Sequence, residues 1–426
     1  MLEIRKIREN KEPFVEGMRA RNFENPEKMI QNLLDIDQSR REVTLQVETL
    51  RAEGKKAASA IGDLIKSGNQ AAADEARAVA AESKTKIAEL EERMKAMDEE
   101  QNRLLLTLPN VPHPSVPRGK SADDNHVVSL HGEVPSLGDW AKPHWELTTE
   151  LDIIDFGLGA KISGAGFPVY KGQGAAFLRA LKTFFLDEAI AAGYLEVVPP
   201  LVVNEDSGYG TGQIPDKEGQ MYYIPEDKLY LIPTAEVPVT NLYRDVIVEA
   251  KQLPIKNCAY SQCFRREAGA YGSHVRGLNR LHQFDKVEIV EIAHPDKSYE
   301  RLEVMMQHAR GLLDKLGLHH RVLLLCSGDM GFASAKTYDL EVWSGAQQRW
   351  LEVSSVSCFE TFQANRLKLR YKEDGKNTLC HTLNGSALAF PRVMAAIMEN
   401  FQNEDGSVTL PKVLQKYTGF EKLSKQ

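Results

Sequence analysis

The sequence predicts an α+β domain built on an antiparallel sheet flanked by helices, and ahead of it a long antiparallel helical coiled-coil arm. Three observations carry this reading. Two heptad seams follow one another across a turn near the amino terminus, a proline-rich stretch comes next, and short strand-like runs with few helices between them fill what remains. Length agrees, because 426 residues exceed the roughly 250–300 that a single hydrophobic core holds.

In the arm, Leu33, Ile36, Arg40, Val43, Val47, Leu50, Gly54, Ala57, Ile61 and Leu64 advance by alternating steps of three and four, and eight of the ten are apolar. Such a stripe keeps to one side of a helix that winds against a partner. A second stripe, Ala73, Ala76, Ala80, Ser83, Ile87, Leu90, Met94, Met97, Gln101 and Leu104, again has eight apolar members, and Ser67-Gly68-Asn69 between the two is a turn signal. At about 1.5 Å per residue the folded-back pair spans on the order of 50–60 Å. Six basic residues (Arg40, Arg41, Arg51, Lys55, Lys56, Lys66) outnumber four acids (Glu42, Glu48, Glu53, Asp63) on the outer half. A mildly cationic tip suits a nucleic-acid backbone, although a solvated helix face or a dimerising stalk gives the same pattern. Prolines 109, 112, 114 and 117 cannot continue a helix and close the arm. The chain therefore divides into 1–108 and 109–426.

In the second part, Phe177, Leu178, Leu181, Phe184, Phe185 and Ile190 recur at helical spacing over 174–192, followed by a strand at 194–198 and a Pro199-Pro200 stop. Strand candidates then recur at 222–224, 230–232, 258–264, 287–292, 322–326, 338–343 and 350–355. A helix is expected over 299–316, and another opens at Pro391-Arg392, where proline suits the first turn.

Composition sets limits on function. With 42% apolar and 27% charged residues the chain reads as soluble and globular, and no apolar run approaches the roughly 18 residues of a membrane span. The amino terminus lacks an apolar targeting core, and Glu3 and Glu9 argue against a transit peptide. Cys258, Cys263, Cys326, Cys358 and Cys380 form no paired framework and no C-x-x-C, which favours a reduced cytoplasmic setting and disfavours zinc. A net charge of −7 requires any nucleic-acid surface to be local.

No P-loop and no convincing dinucleotide fingerprint is present, so a nucleotide must be held otherwise. The run CFRREAGAYGSHVRGLNRLHQFDKVE, 263–288, offers Arg265, Arg266, Arg276, Arg280 and Lys286 with Phe284, Glu267 and Glu288. Arginine forks match phosphate oxygens, Phe284 gives a flat apolar face and Glu267 an acceptor for an amine. A basic surface loop with ordinary salt bridges has the same composition. Glu352-Val353-Ser354-Ser355 presents a carboxylate and a hydroxyl, hard donors that suit Mg2+. Asn384-Gly385-Ser386-Ala387-Leu388-Ala389-Phe390-Pro391-Arg392 lets backbone approach a ligand. The glycine cluster 208–212, with Asn204, Asp206 and Pro215 around it, reads as a mobile loop.

Phe-Arg-x-Glu, a loop and Arg-x-His-x-Phe resemble motif 2 of the class II aminoacyl-tRNA synthetases. Helix, strand and proline at 174–200 resemble motif 1, and 384–392 resembles motif 3. Along the whole chain the similarity is to the seryl-tRNA synthetase family of bacterial type. The resemblance implies a class II catalytic domain at 109–426 and a tRNA-binding arm at 1–108. It implies ligation of L-serine to tRNA(Ser) through seryl-adenylate, with tRNA(Sec) open as a second tRNA, in a cytoplasmic homodimer using ATP and Mg2+.

By the same resemblance Arg265 meets the α-phosphate, Glu267 the adenine amine, Phe284 the base, Arg280 the outer phosphates and Arg392 the γ-phosphate. Arg265 and Arg392 are the catalytic candidates, Arg266 joins the ATP set, and Glu352, Val353, Ser354 and Ser355 complete it, with Glu352 and Ser355 on the metal. Thr234, Ala235, Glu236, Glu288 and Ser386 are implied for serine. The loop NEDSxYGTGQxP is implied to lie over the site. Phe390-Pro391 departs from the Val-Gly of many members, with Arg392 kept. Two other readings stay open: a ligase loading a carrier protein, whose known form lacks the arm, and a catalytically idle scaffold, against which the retained arginines and carboxylates argue.

Overall fold

The computed structural model describes residues 1–216, 218–267 and 276–425, so part of the motif 2-like loop (268–275) lies outside the described residues. Two compact units emerge, Leu2–Pro109 and Asn110–Gln426, with Met1 grouped to the second.

The first unit holds α1 (Ile4–Glu9), α2 (Glu12–Ala20), α3 (Pro26–Lys66) and α4 (Gln70–Leu105). Every seam position of α3 and α4 is buried or half-buried, as interlocking side chains require. Asn69 caps α4 by accepting the Ala72 N–H at 3.2 Å. Arg51 meets Glu91 across the pair at 2.5 Å and half-buried Arg40 pairs with Asp98; pairs open to solvent contribute little to stability. Deeper in, buried Asp37 takes Arg8 at 3.0 Å and Arg41 at 3.2 Å and accepts from Gln101 at 3.3 Å, so its charge is not left bare.

An eight-stranded sheet organises the second unit: β1 (His126–His131), β2 (Leu195–Glu196), β3 (Ile255–Phe264), β4 (Gln283–Ala293), β5 (His320–Leu324), β6 (Lys336–Ser344), β7 (Arg349–Cys358) and β8 (His381–Ala389). Their spatial order is β1-β5-β6-β7-β8-β4-β3-β2, antiparallel throughout except for the β2–β3 pair. Helices α5 (His144–Glu150), α6 (Phe156–Ser163), α7 (Gly172–Ala191), α8 (Glu205–Thr211), α9 (Glu236–Asn241), α10 (Ser298–Leu316), α11 (Thr361–Leu367), α12 (Phe390–Asn400) and α13 (Lys412–Thr418) surround it.

Strand alternation decides what each face does. Val287 and Ile289 of β4, Leu340 and Val342 of β6, Val356 of β7 and Leu383 and Ala387 of β8 belong to the apolar core with α7, α10 and α12. The residues between them, Glu288, Ser355, Asn384 and Ser386, point to the other face and line a cavity.

Three sequence expectations change. The strand expected at 194–198 shrinks to Leu195–Glu196, because Pro199 and Pro200 end the pairing. The glycine cluster is a helix rather than a loop: Asn204 accepts the Ser207 N–H at 3.0 Å, Gly212 closes α8 at φ +98°, and Ser207, Gly208, Gly210 and Thr211 are buried. Central strand β8 had no strand signal of its own, since small polar residues occupy its cavity face.

Candidate active site

Strand β4 places Phe284, Lys286 and Glu288 two residues apart on the cavity face. Glu288 is about 1% exposed, and its carboxylate meets Lys286 Nζ at 2.5 Å. Asn384 Nδ2 donates to Glu288 Oε1 at 2.9 Å and Ser386 Oγ to Oε2 at 3.5 Å. Ser386 sits directly across the β4–β8 ladder from Glu288, so register alone brings hydroxyl and carboxylate together. Lys286 also donates to Thr234 Oγ1 at 2.8 Å, and that oxygen accepts the Glu236 N–H at 3.3 Å.

Glu236, at the first turn of α9, supplies a second buried carboxylate. Gln363 Nε2 donates to its Oε1 at 2.6 Å and to the Thr211 carbonyl at 3.0 Å, while Thr382 Oγ1 holds Gln363 Oε1 at 2.7 Å. Burial, and then the charge of Glu288, push the Glu236 carboxyl up to about 7. Two buried carboxylates at one end of the cavity make a strong site for a small cation such as an ammonium group.

Farther along, Arg265 leaves the end of β3 with Nε on the Pro233 carbonyl at 3.3 Å and its guanidinium 5.2 Å from the Phe284 ring centroid. Glu267 pairs with Arg280. Arg392, in the first turn of α12, donates to the Asn279 carbonyl at 3.0 Å and to the Glu352 carbonyl at 2.8 Å. Behind Asn279 lies a buried network. Leu278 N–H donates to His144 Nε2 at 2.8 Å, so His144 Nδ1–H donates to Glu399 at 2.7 Å. Asn279 Nδ2 donates to Gln347 Oε1 at 2.9 Å, and Gln347 Nε2 returns to Glu399 at 2.9 Å. Gly277 has φ +67° and lies so close to His144 Nε2 that a Cβ would come within 2.3 Å, so only glycine fits that turn.

Across the cavity, Glu352 and Ser355 of β7 face Glu341 and Asp339 of β6 in register. Asp339 Oδ1 is buried without a hydrogen-bond partner among the described residues, and burial together with the Glu352 charge raises the Asp339 carboxyl well above its ordinary range. Arg321 satisfies Glu341 at 2.6 Å. A set of hard oxygen donors with an under-compensated carboxylate behind it fits Mg2+, with Glu352 and Ser355 as the cavity-side donors.

One cavity of about 360 Å³, within the range of small-molecule sites, thus collects Thr234, Glu236, Arg265, Glu267, Arg280, Phe284, Glu288, Glu352, Val353, Ser354, Ser355, Ser386 and Arg392. Two candidates fall outside it. Ala235 is fully buried against Val239, Ala259 and Val290, and exposed Arg266 stands 6.0 Å from the Tyr222 ring. Val353 packs in the core and Ser354 Oγ donates to the Ser386 carbonyl at 2.6 Å, which ties β7 to β8. Sequence reasoning gave no role to Asn384, which it read only as the start of the motif 3-like run, and passed over Gln363, His144 and Glu399, because partners more than 90 residues apart leave no local signal.

Known proteins match along the full length. The seryl-tRNA synthetase N-terminal domain matches residues 1–112, and the class II tRNA synthetase core domain for G, H, P, S and T matches 222–401. The serine--tRNA ligase of Salinibacter ruber is 49% identical over 425 residues, 99% of each chain. That of Carboxydothermus hydrogenoformans is 46% identical over 431 residues, 100% of each. The crystal structure of seryl-tRNA synthetase from Pyrococcus horikoshii, complexed with ATP, superposes with a TM-score of 0.94 at 35% identity and covers 100% of both chains. With relatives of that identity aligned from end to end, the chain belongs to the seryl-tRNA synthetase family of class II aminoacyl-tRNA synthetases.

Proposed function

We propose that this chain activates L-serine with ATP and esterifies it to tRNA(Ser). The observation that carries the reading is the buried pair Glu236 and Glu288, with Ser386 opposite, at the end of a cavity whose walls carry Arg265, Arg280 and Arg392. Serine brings an ammonium and a hydroxyl. The carboxylates take the ammonium, and Glu288 with Ser386 takes the hydroxyl, so alanine leaves a buried acceptor unpaired.

A serine carboxylate oxygen then attacks the α-phosphorus, the bond to the β-phosphate breaks, and pyrophosphate leaves. The nucleophile is already ionised, so no general base is needed and charge neutralisation is the chief task. Arg265 faces the reacting phosphate, Phe284 stacks on the adenine, Glu267 accepts from its amine, and Arg280 and Arg392 hold the outer phosphates. Arg280 exchanges its pairing with Glu267 for phosphate when the nucleotide enters. Mg2+, when bound, spreads charge over the phosphates, and Glu352 and Ser355 would hold it. A ribose hydroxyl of the terminal tRNA nucleotide next attacks the acyl carbon and releases AMP.

The arm supports tRNA recognition, and its loss separates the two half-reactions. Exposed Ile190, Leu195, Val198 and Leu201, in and after the motif 1-like helix and strand, offer an apolar face for a homodimer. Five buried, unpaired cysteines suit the reducing cytoplasm. Charging of tRNA(Sec) rests on the same arm and is read in a parallel assay. The test is exchange of labelled pyrophosphate into ATP. Serine is expected to support it, with alanine and threonine at least about a hundredfold weaker. Exchange with another amino acid in place of serine overturns the specificity, and no exchange with any amino acid overturns the activity.

A further inference from the structure

Cysteine spacing argues against zinc, but a different cluster argues for it. His131 closes β1, His320 opens β5 directly across the ladder, and Asp314 sits in the last turn of α10, just before Gly317 turns the chain into β5. One ligand atom from each lies within 4.8 Å of the others. His320 is about 1% exposed, and its Nδ1–H donates to the Leu318 carbonyl at 2.8 Å. That bond places the lone pair on Nε2, which is buried, has no hydrogen-bond partner among the described residues and lies 3.6 Å from Asp314 Oδ1.

Neighbouring groups orient the other two ligands. Arg310 Nε faces Asp314 Oδ2 at 3.6 Å and leaves Oδ1 turned to the histidine. His131 has Nε2 on Ser129 Oγ at 2.9 Å, and its carbonyl accepts from His319 Nδ1 at 2.9 Å. The two imidazole rings lie 4.9 Å apart and nearly parallel.

We infer that His131, Asp314 and His320 bind a borderline divalent cation of the Zn2+ type, tying the edge strand β1 to α10. Two imidazoles and a carboxylate suit such an ion and are a poor set for Mg2+ or Ca2+. Ligand atoms around zinc stand roughly 3.3–3.6 Å apart, a spacing that Asp314 Oδ1 and His320 Nε2 already meet at 3.6 Å, and the whole set, within 4.8 Å, must close by about an ångström to reach it. Arg310 stays on the outer oxygen and limits affinity, which predicts micromolar rather than tighter binding.

Full-length protein stripped with EDTA is dialysed against micromolar Zn2+ in the presence of millimolar Mg2+, and bound zinc is measured by mass spectrometry. One zinc per chain is expected, with a rise in melting temperature. Asp314→Asn and His131→Gln, both at accessible positions, each weaken binding by about tenfold or more and remove the thermal shift. Cobalt(II) in place of zinc should give a visible ligand-field band that Asp314→Asn abolishes. No zinc on the native chain, or equal zinc on the native and both variant chains, overturns the site.

Discussion

Under the proposed function Glu236 carries two opposed demands, accepting an ammonium while buried beside Glu288. Burial and that neighbouring charge raise its pKa to about 7, while the Gln363 hydrogen bond, Lys286 and Arg265 pull the other way. In the empty site the carboxyl is therefore largely protonated at pH 6 and largely ionised at pH 8. An ammonium group favours the ionised form, so the KM for serine should rise roughly tenfold as pH falls from 8 to 6. Glu236→Gln should bind serine weakly at both values, with that dependence gone. Stability has the opposite sign. A carboxyl whose folded pKa lies above its unfolded value favours the folded state at low pH, and this contribution is lost as pH rises through about 7. Native protein should thus lose stability relative to Glu236→Gln between pH 5 and 8, by an upper bound of about 3 kcal/mol, read as a falling melting temperature. Parallel pH profiles for the two proteins would contradict this assignment.

Single residues were legible where a motif kept them close together. Arg265, Glu267, Arg280, Phe284 and Glu288 stand within one short run, and the structure brings them to one cavity. Arg266 lies in the same run but outside the cavity: past the end of β3 its N–H donates to the Gln220 carbonyl at 2.8 Å and its exposed guanidinium stands beside the Tyr222 ring. The partner that neutralises Glu288 is Lys286, which reads in the sequence only as one cation among five.

At the scale of elements, the long helices were read from seams and apolar spacing, and the strands from β-branched runs. Two strands of the eight-stranded sheet escaped for physical reasons. In β1 the apolar Val127, Val128 and Leu130 are exposed, so its pattern does not report a buried face. In β8 the cavity face needs Asn384 and Ser386, which breaks apolar alternation in the middle of the sheet. The network from Glu399 of α12 through His144 to the turn Gly277–Asn279 belongs to this scale, because it fixes the carbonyl on which Arg392 rests. Burial would raise the Glu399 carboxyl, but hydrogen bonds from His144 and Ser344 hold it below the ordinary range. His144→Ala should raise the KM for ATP by about tenfold while changing that for serine little, and should lower stability by about 3–5 kcal/mol. His144→Gln, which restores an acceptor for the Leu278 N–H, should recover part of the ATP effect. Equal loss toward both substrates would mean that the network only holds the fold.

For the whole molecule, net charge was the least informative observation and local arrangement the most. A chain of −7 gave no reason to expect a tRNA partner, yet its outer arm carries more base than acid and its cavity gathers arginines around buried carboxylates. The division of labour between arm and sheet is the central claim. Its most direct test is attachment of labelled serine to purified tRNA(Ser), measured beside pyrophosphate exchange for the full chain and for a chain with 31–104 replaced by a short linker. The full chain should perform both reactions, whereas the shortened chain should keep exchange within about threefold and lose charging by at least about a hundredfold. Charging that survives without the arm, or a full chain that exchanges pyrophosphate but leaves tRNA(Ser) unacylated, would contradict it.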